Sequence, residues 1–266
     1  MQNLKLCVLG RQSDSYTKMV VQRMRDHGLQ FTLVLEGGHN TSNGVERLFT
    51  RPLNIYRALT SGRFKALPKL SWFTLRAFLG EWFFYRSVAA RSILDSLRLV
   101  DMKGVVTPFI NHVRTLKLIE REQFDIGIFA GVGVVDSAII DAFRVGCLNA
   151  HPAPLPQCRG GGALINTLYY GLQPAVSVHV ATAGIDEGEV LRVTPLTLLK
   201  DDNYDSINLR LTLLCADTLA AVTYEFASGK QVKGVPNTGI LHYWKDCTFD
   251  RQLAAMRRLR RLLEAL

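Results

Sequence analysis

The 266-residue sequence lacks paired cysteines. Five cysteines are scattered along the chain with no Cys-x-x-Cys pair, at Cys7, Cys147, Cys158, Cys215 and Cys247. Zinc sites and disulfide frameworks are built from closely spaced cysteines, so this spacing argues against both. We expect free thiols in a reducing cytoplasm and no bound metal.

Long hydrophobic runs are also missing. A membrane-spanning helix needs about 20 apolar residues in succession, and no stretch of the chain reaches that length. The first residues have the pattern of a buried strand and lack the basic start and cleavage site of a signal peptide. The hydrophobic fraction is nevertheless 48%, which predicts a globular protein with a substantial core.

Glycine-rich phosphate loops are absent from the two places where they are expected. The first predicted strand, residues 4–9, is followed by Gly10 and then by polar residues without further glycine. A later Gly131-x-Gly133 pair has Asp136 at the position of the third glycine of the dinucleotide fingerprint. The sequence therefore does not predict a dinucleotide site.

Acidic residues are scarce in two segments of a chain whose net charge is +9. Residues 51–100 contain nine Lys or Arg and two acids, and residues 251–266 contain five Arg and one Glu. Basic surfaces favour phosphates, nucleic acids or acidic membranes, although solvated helix faces explain them equally well. Aromatic residues at helical spacing in 51–100 predict two or three amphipathic helices inserted there.

Strand-like and helical patterns alternate in the rest of the chain. Residues 4–9 and 31–35 have strand patterns and flank a predicted helix at 15–27, an arrangement typical of the α/β class. We expect Asn111 to cap a helix that ends at Glu122, and Ser137 to cap the next helix.

The C-terminal residues, 201–266, have a mainly helical pattern. Leu and Ala recur with helical spacing over 206–227, and a basic amphipathic pattern covers 250–266. Residues 239–244 resemble a short strand between the two helices.

The most informative segment places an amide and an imidazole two residues apart at the end of an apolar run. Side chains at positions i and i+2 of a strand share a face, so Asn149 and His151 are expected to project together. Pro152 ends the strand directly after them. Such a pair can donate hydrogen bonds to one developing oxyanion, and an incidental His at a strand end is the alternative.

A second segment has a strand pattern that runs into a short loop. Residues 176–180 alternate, and Asp186 follows in a loop flanked by Gly184 and Gly188. Asp186 and His151 can meet only through the fold. A carboxylate beside an imidazole fixes the orientation of the ring and raises its pKa.

Together these segments resemble the folate-dependent formyltransferase family. The family hallmark is Asn-x-His-Pro with Leu-Pro and Arg-Gly downstream, then a Val-His strand that leads into a Gly-x-Asp-x-Gly loop. The matching residues are Asn149 to Pro152, Leu155-Pro156, Arg159-Gly160, Val178-His179 and Gly184 to Gly188. The likeness extends from about Phe124 to about Leu196, and the chain is closest in length to sugar N-formyltransferases.

The resemblance implies a Rossmann-like α/β core over residues 1–200 with a mostly parallel sheet and a helical insertion at 51–100. Residues 201–266 would form an extension of helix and hairpin that packs on the core or on a dimer partner. Catalytic roles are implied for Asn149, His151 and Asp186. Backbone groups of two loops would line the pterin pocket, at Gly131, Gly133, Val134, Val135, Gly184, Ile185 and Gly188. Arg159 and His179 would contact the acceptor, although a packed strand histidine is an equal alternative for His179.

The implied activity is formyl transfer from 10-formyltetrahydrofolate, without metal, to an amine. Length and basic surface favour a nucleotide-linked amino sugar, a 4-amino-6-deoxyhexose of lipopolysaccharide O-antigen synthesis, over nucleic acid. We expect a cytoplasmic homodimer with no membrane span.

Four alternatives stay open. Methionyl-tRNA formyltransferases usually add a C-terminal barrel, and glycinamide ribonucleotide enzymes usually carry a glycine-rich loop after the first strand. Formyltetrahydrofolate hydrolases share the same three catalytic residues. A folate-binding pseudoenzyme is the alternative that performs no reaction.

Overall fold

A computed structural model describes residues 4–37, 97, 99–239, 242–243 and 249–266 of the chain. The amphipathic helices predicted within 51–100 lie almost entirely outside the described residues. The strands are β1 (Leu6–Arg11), β2 (Phe31–Glu36), β3 (Val105–Thr107), β4 (Ile126–Ala130), β5 (Gly146–His151), β6 (Cys158–Arg159), β7 (Ala175–Ala181), β8 (Val190–Pro195) and β9 (His242–Tyr243). The helices are α1 (Ser15–Asp26), α2 (Val113–Glu122), α3 (Ser137–Asp141), α4 (Ala163–Tyr170), α5 (Tyr204–Ala227) and α6 (Phe249–Glu264).

Seven of these strands form one mixed sheet in the order β3-β2-β1-β4-β5-β7-β8. The first five strands of this order pair in parallel, while β7 and β8 pair antiparallel with their neighbours. The prediction of an α/β fold with a mostly parallel sheet is confirmed. The chain winds outward from β1 in one direction and from β4 in the other, and open α/β sheets bind ligands at such a switch point.

The central strands β1 and β4 are almost completely buried. Strands covered on both faces need continuous apolar runs, and Cys7, Val8 and Leu9 are fully buried together with Ile128. Gly127 has no side chain at a place where β4 is crowded. A Cβ atom there would lie 2.7 Å from Cys147 Sγ and 2.9 Å from the Phe143 ring.

Helix α1 is tied to the end of β4 by its first turn. Asp14 caps the helix through a carboxylate oxygen that accepts from Thr17 N at 2.8 Å. The Thr17 hydroxyl donates to Ala130 O at 2.6 Å. The turn after β1 and the loop after β4 are therefore held together at the switch point.

The predicted caps of α2 and α3 are wrong by one residue each. His112, and not Asn111, caps α2, because its Nδ1 accepts from Arg114 N at 3.1 Å. Asp136, and not Ser137, is the N-cap of α3, and its side chain makes no capping bond. The Asn111 side chain instead donates to Val134 O at 3.0 Å and accepts from Asp136 N at 2.9 Å. Asn111 therefore holds the loop after β4.

Two C-terminal helices pack on the core. Helix α5 begins two residues before the prediction, because Asn203 accepts from the backbone N–H groups of Asp205 and Ser206 at 2.9 Å each. Helix α6 packs on α4, where the Arg251 guanidinium lies 5.0 Å from the centre of the Tyr169 ring. No helix in the described part of the chain has the length and hydropathy to cross a membrane.

We predict that Gly127→Ala destabilises the fold by about 1–3 kcal/mol, because the added methyl group collides with Cys147 and Phe143 in a packed interior. Urea unfolding measures the change. Gly133→Ala is the control, since its methyl group would meet only the Arg11 guanidinium at 3.5 Å. Equal stability of the two variants would contradict the packing described for β4.

Candidate active site

Four polar side chains share one face of the sheet where β5 pairs with β7. The register sets Asn149 opposite His179 and His151 opposite Ser177. Directly opposite residues of an antiparallel pair are neighbours on the same face. The Ser177 hydroxyl donates to Ala153 O at 2.8 Å and accepts from Leu155 N at 2.9 Å, which orders the segment after β5.

The Asp186 carboxylate lies between two imidazole rings. Its Oδ2 is 3.3 Å from His151 Nδ1, and its Oδ1 is 3.3 Å from His179 Nε2. Gly160 N donates to Oδ2 at 2.8 Å. The fold therefore brings together Asn149, His151, His179 and Asp186.

Both imidazoles bond to a backbone carbonyl on the side away from Asp186. His151 Nε2 lies 3.0 Å from Cys158 O, and His179 Nδ1 lies 2.9 Å from Val180 O. Carbonyl oxygens only accept, so these two nitrogens carry hydrogen. In a neutral ring the nitrogen that faces Asp186 is then unprotonated, and a proton taken up there would be shared with the carboxylate.

Burial and the ion pair act in opposite directions on this cluster. Burial lowers the pKa of His151 below its usual 6.5, and the nearby Asp186 charge opposes that shift without reversing it. The sequence-based expectation of a raised His151 pKa is therefore wrong, because desolvation outweighs the carboxylate. Burial raises the pKa of Asp186, but the contacts with His179, His151 and the Gly160 N–H outweigh it and lower that pKa to about 2.

The loop that carries Asp186 has a constrained backbone. Asp186 adopts a left-handed conformation with φ of 52°, which is uncommon outside glycine. At Gly188 a Cβ atom would lie 1.8 Å from Val180 O, so this position requires glycine. At Gly184 the added atom would meet only the end of the Glu187 side chain. Ile185 stays half-buried between them.

The second predicted pterin loop follows β4 at the switch point. Gly131 has a positive φ of 77°, and a Cβ atom there would lie 2.3 Å from Asp14 Oδ2. Gly133 is exposed, Val134 is 74% exposed, and Val135 is buried. Because β4 and β5 are parallel neighbours, this loop and Asn149 lie toward the same edge of the sheet.

Two predicted acceptor contacts are buried in the protein. His179 is 2% exposed, and its Nε2 lies 3.1 Å from Asn149 Nδ2. Arg159 is 6% exposed, and its guanidinium donates to Asn237 O. His179 thus faces Asn149 and Asp186, while Arg159 faces the segment around Asn237.

Sequence reasoning missed Asn237 and Ser177. Asn237 Nδ2 donates to the backbone oxygens of Asp186 and Gly188, at 2.8 Å each. No spacing in the sequence relates these segments, because the contact depends on the path of the chain after α5. Within the described residues no group of three or more His, Cys, Asp or Glu side chains could hold a metal ion.

The comparison with known families agrees with this arrangement. Residues 112–223 match a family model described as formyl transferase. This part of the chain is similar to that family, and it makes up less than half of the chain. The matched residues extend from α2 to most of α5, and they include Asn149, His151, His179 and Asp186.

Relatives of known sequence and structure are similar to the chain. Methionyl-tRNA formyltransferase of Rickettsia typhi is 35% identical over 133 residues, which cover 49% of this chain and 44% of that protein. The chain thus spans less than half the length of the curated relatives it matches. A sugar N-formyltransferase from Shewanella sp has a TM-score of 0.52 at 11% identity, covering 96% of this chain and 87% of that one. Glycinamide ribonucleotide transformylase 1 from Symbiobacterium toebii has a TM-score of 0.53 at 16% identity, covering 88% and 94%. These structures share the fold.

We predict that His151 titrates below pH 6.5 and that Asp186→Asn lowers its pKa further. The reason is that the Asp186 charge favours the protonated ring, while burial disfavours that form. Ring signals in a histidine-selective NMR titration measure both values.

The matched control for this titration is Asp202→Asn. Asp202 is a shielded carboxylate that pairs with Arg210 at 2.6 Å, so its loss should leave His151 unchanged. An unaltered His151 pKa in Asp186→Asn would show that the two groups are not coupled.

Proposed function

We propose that the protein is an N-formyltransferase that moves a formyl group from 10-formyltetrahydrofolate to the amine of a nucleotide-linked amino sugar. The observation that carries the proposal is the grouping of Asn149, His151 and Asp186 at the end of β5, within the residues that match the formyl transferase family. Formyl transfer needs a hydrogen-bond donor for a developing oxyanion and a base for the amine proton. This group of residues offers both.

Asn149 is the proposed oxyanion donor. Asn149 is half-buried, as is Asp186, whereas His151 and His179 are almost completely buried, so its amide is more accessible than either imidazole. As the amine nitrogen bonds to the formyl carbon, negative charge develops on the formyl oxygen. An amide N–H aimed at that oxygen lowers the barrier by about 3 kcal/mol.

Asp186 and His151 are the proposed proton carriers. Asp186 stays ionised at neutral pH, because its pKa is held at about 2, so it can accept the proton of the attacking amine. His151 takes up that proton at Nδ1 across its contact with Asp186 and gives its Nε2 proton to the leaving nitrogen, once the contact with Cys158 O is exchanged for substrate. His179 is proposed to position Asn149 and Asp186 from behind, since it contacts both.

The formyl donor fits the loops at this edge of the sheet. When bound, 10-formyltetrahydrofolate supplies an activated formyl group. Backbone groups of 131–135 and of 184–188 would hold its pterin ring, and the glycines at 131 and 188 let these two loops pack closely against Asp14 and Val180. Asn111 keeps the first loop in place through its two bonds to backbone groups.

The choice of acceptor rests on different observations from the choice of chemistry. The sugar N-formyltransferase likeness extends over 96% of the chain, including residues beyond the family match, which supports an amino-sugar acceptor. Its assignment to the 4-amino-6-deoxyhexose class is a prediction from the resemblance. The sequence relatives named as methionyl-tRNA formyltransferases favour a second candidate, the amine of methionyl-tRNA. A cytoplasmic homodimer remains a prediction from the resemblance.

We predict that Asn149→Ala and His151→Ala each lower kcat at least about 100-fold while the protein stays folded. Asp186→Asn should lower kcat and leave the KM for the formyl donor unchanged, because the carboxylate acts on protons. Steady-state kinetics with 10-formyltetrahydrofolate and an amino-sugar acceptor measure these effects.

The control for the histidine is His112→Ala. This variant removes a histidine that caps α2, which costs about 1 kcal/mol of stability. Its kcat should match that of the unaltered protein. Near-normal rates in both Asn149→Ala and His151→Ala would eliminate the proposed chemistry.

We predict saturable formylation of a nucleotide-linked amino sugar and no formylation of methionyl-tRNA. Mass spectrometry of an acceptor panel detects replacement of hydrogen by a formyl group. Binding of tRNA releases many counterions and weakens steeply with salt, whereas a sugar nucleotide with few phosphates loses much less. Transfer to methionyl-tRNA with a steep salt dependence would favour the second candidate, and pterin binding without any transfer would indicate a pseudoenzyme.

A further inference from the structure

Asn237 lies outside the matched family residues and contacts the loop of Asp186. Its side-chain amide has two hydrogens, and the Nδ2 atom donates to Asp186 O and to Gly188 O at 2.8 Å each. Asn237 is itself buried, at 9% exposure. One amide group therefore bonds to two carbonyls of the loop that carries the central carboxylate.

A closed circuit of bonds connects Asn237 with the carboxylate itself. Arg159 donates through its guanidinium to Asn237 O. The next residue, Gly160, donates from its N–H to Asp186 Oδ2 at 2.8 Å. Gly160 thus bonds to the side chain of Asp186, and Asn237 bonds to its backbone. Arg159, which precedes Gly160 and bonds to Asn237, connects the two segments.

The neighbouring backbone supports the same contact. Val235 and Val190 exchange two backbone hydrogen bonds, at 2.9 and 3.0 Å, so the segment before Asn237 is paired with the start of β8. The loop needs this support because Asp186 has a positive φ, which an aspartate seldom adopts without stabilising contacts.

We propose that Asn237 is a positioning residue that sets the distance between the Asp186 carboxylate and the imidazoles of His151 and His179. It acts through the backbone of the loop, to which its amide donates both hydrogen bonds. The C-terminal segment after α5 thereby takes part in assembling the site, in addition to the three residues of the motif.

The groups that face the cluster determine what a displaced loop would do. His151 is faced by Asp186, His179 and Cys158 O, and Asp186 is faced by both histidines and the Gly160 N–H. Glu187 and Arg159 approach each other at 3.7 Å beside the loop. Moving the carboxylate outward removes the charge that favours protonated His151, so the pKa of that ring falls.

The experiment compares Asn237→Ala and Asn237→Asp with the unaltered protein. Alanine removes both donated hydrogen bonds. Aspartate keeps the shape of the side chain but replaces the donor nitrogen with an oxygen, which cannot donate to the two carbonyls. We expect a lower His151 pKa in the NMR titration and faster hydrogen exchange over 182–190. A kcat reduced about 10- to 100-fold with little change in KM should accompany them, since small misplacements of a reacting group have effects of this size.

Asn203→Ala is the matched control. This asparagine also bonds to backbone groups through its side chain, but it caps α5. The control should lower the thermal midpoint while the His151 titration and the loop exchange stay unchanged.

The readouts separate this proposal from the proposed function, on which only the kcat measurement rests. Without formyl transfer there is no turnover in any variant, yet the titration and the exchange still report the contact. An unchanged His151 pKa together with unchanged exchange over 182–190 would overturn the positioning role. Failure of both Asn237 variants to fold would also overturn it, because Asn237 would then support the whole fold.

Discussion

The Asp186 carboxylate is the group on which the arrangement of the candidate site depends. A shielded negative charge is costly without polar contacts, and the contacts of this carboxylate come from three separate parts of the chain. His151 belongs to β5, His179 belongs to β7, and Gly160 follows β6. Because all three segments contact one ionised group, their positions relative to one another are fixed.

The sheet explains why these segments meet at this place. The parallel strands β4 and β5 deliver their carboxyl ends to one edge, where the loop after β4 also lies. Strand β7 then runs antiparallel beside β5 and returns His179 to the level of Asn149. The antiparallel strand β7 thus brings a second imidazole to the site. With parallel strands alone, the residues at this edge of the sheet would come from loops.

Local patterns were sufficient to predict the fold class and the residues of the motif. Apolar runs, glycine turns and the spacing of Asn149 and His151 depend on neighbours in sequence, and such signals predicted an α/β sheet that the structure confirms. The three-residue strand β3 was not predicted, since Val105 and Val106 are exposed and carry no burial pattern.

Features that depend on distant parts of the chain were not predictable. The pKa of His151 follows from how deeply the ring is buried, which no local pattern reports. The direction of Arg159, toward Asn237, depends on the path of residues after α5. The Asn111 side chain bonds to the loop after β4 and does not cap α2. The first turn of α2 is capped by the His112 ring, which accepts from Arg114 N.

The pairing of β7 with β8 contains an irregularity close to the loop that carries Asp186. Val178 faces Arg192, but His179 faces Val190, so Leu191 is an extra residue in β8. A bulge of this kind stores one residue of chain at the base of the 182–189 loop. Removing or adding such a residue would alter the reach of the loop, while the pairing of β7 with β5 would keep His179 beside Asn149. Loop length and the polar face of the sheet are therefore separately adjustable within one scaffold.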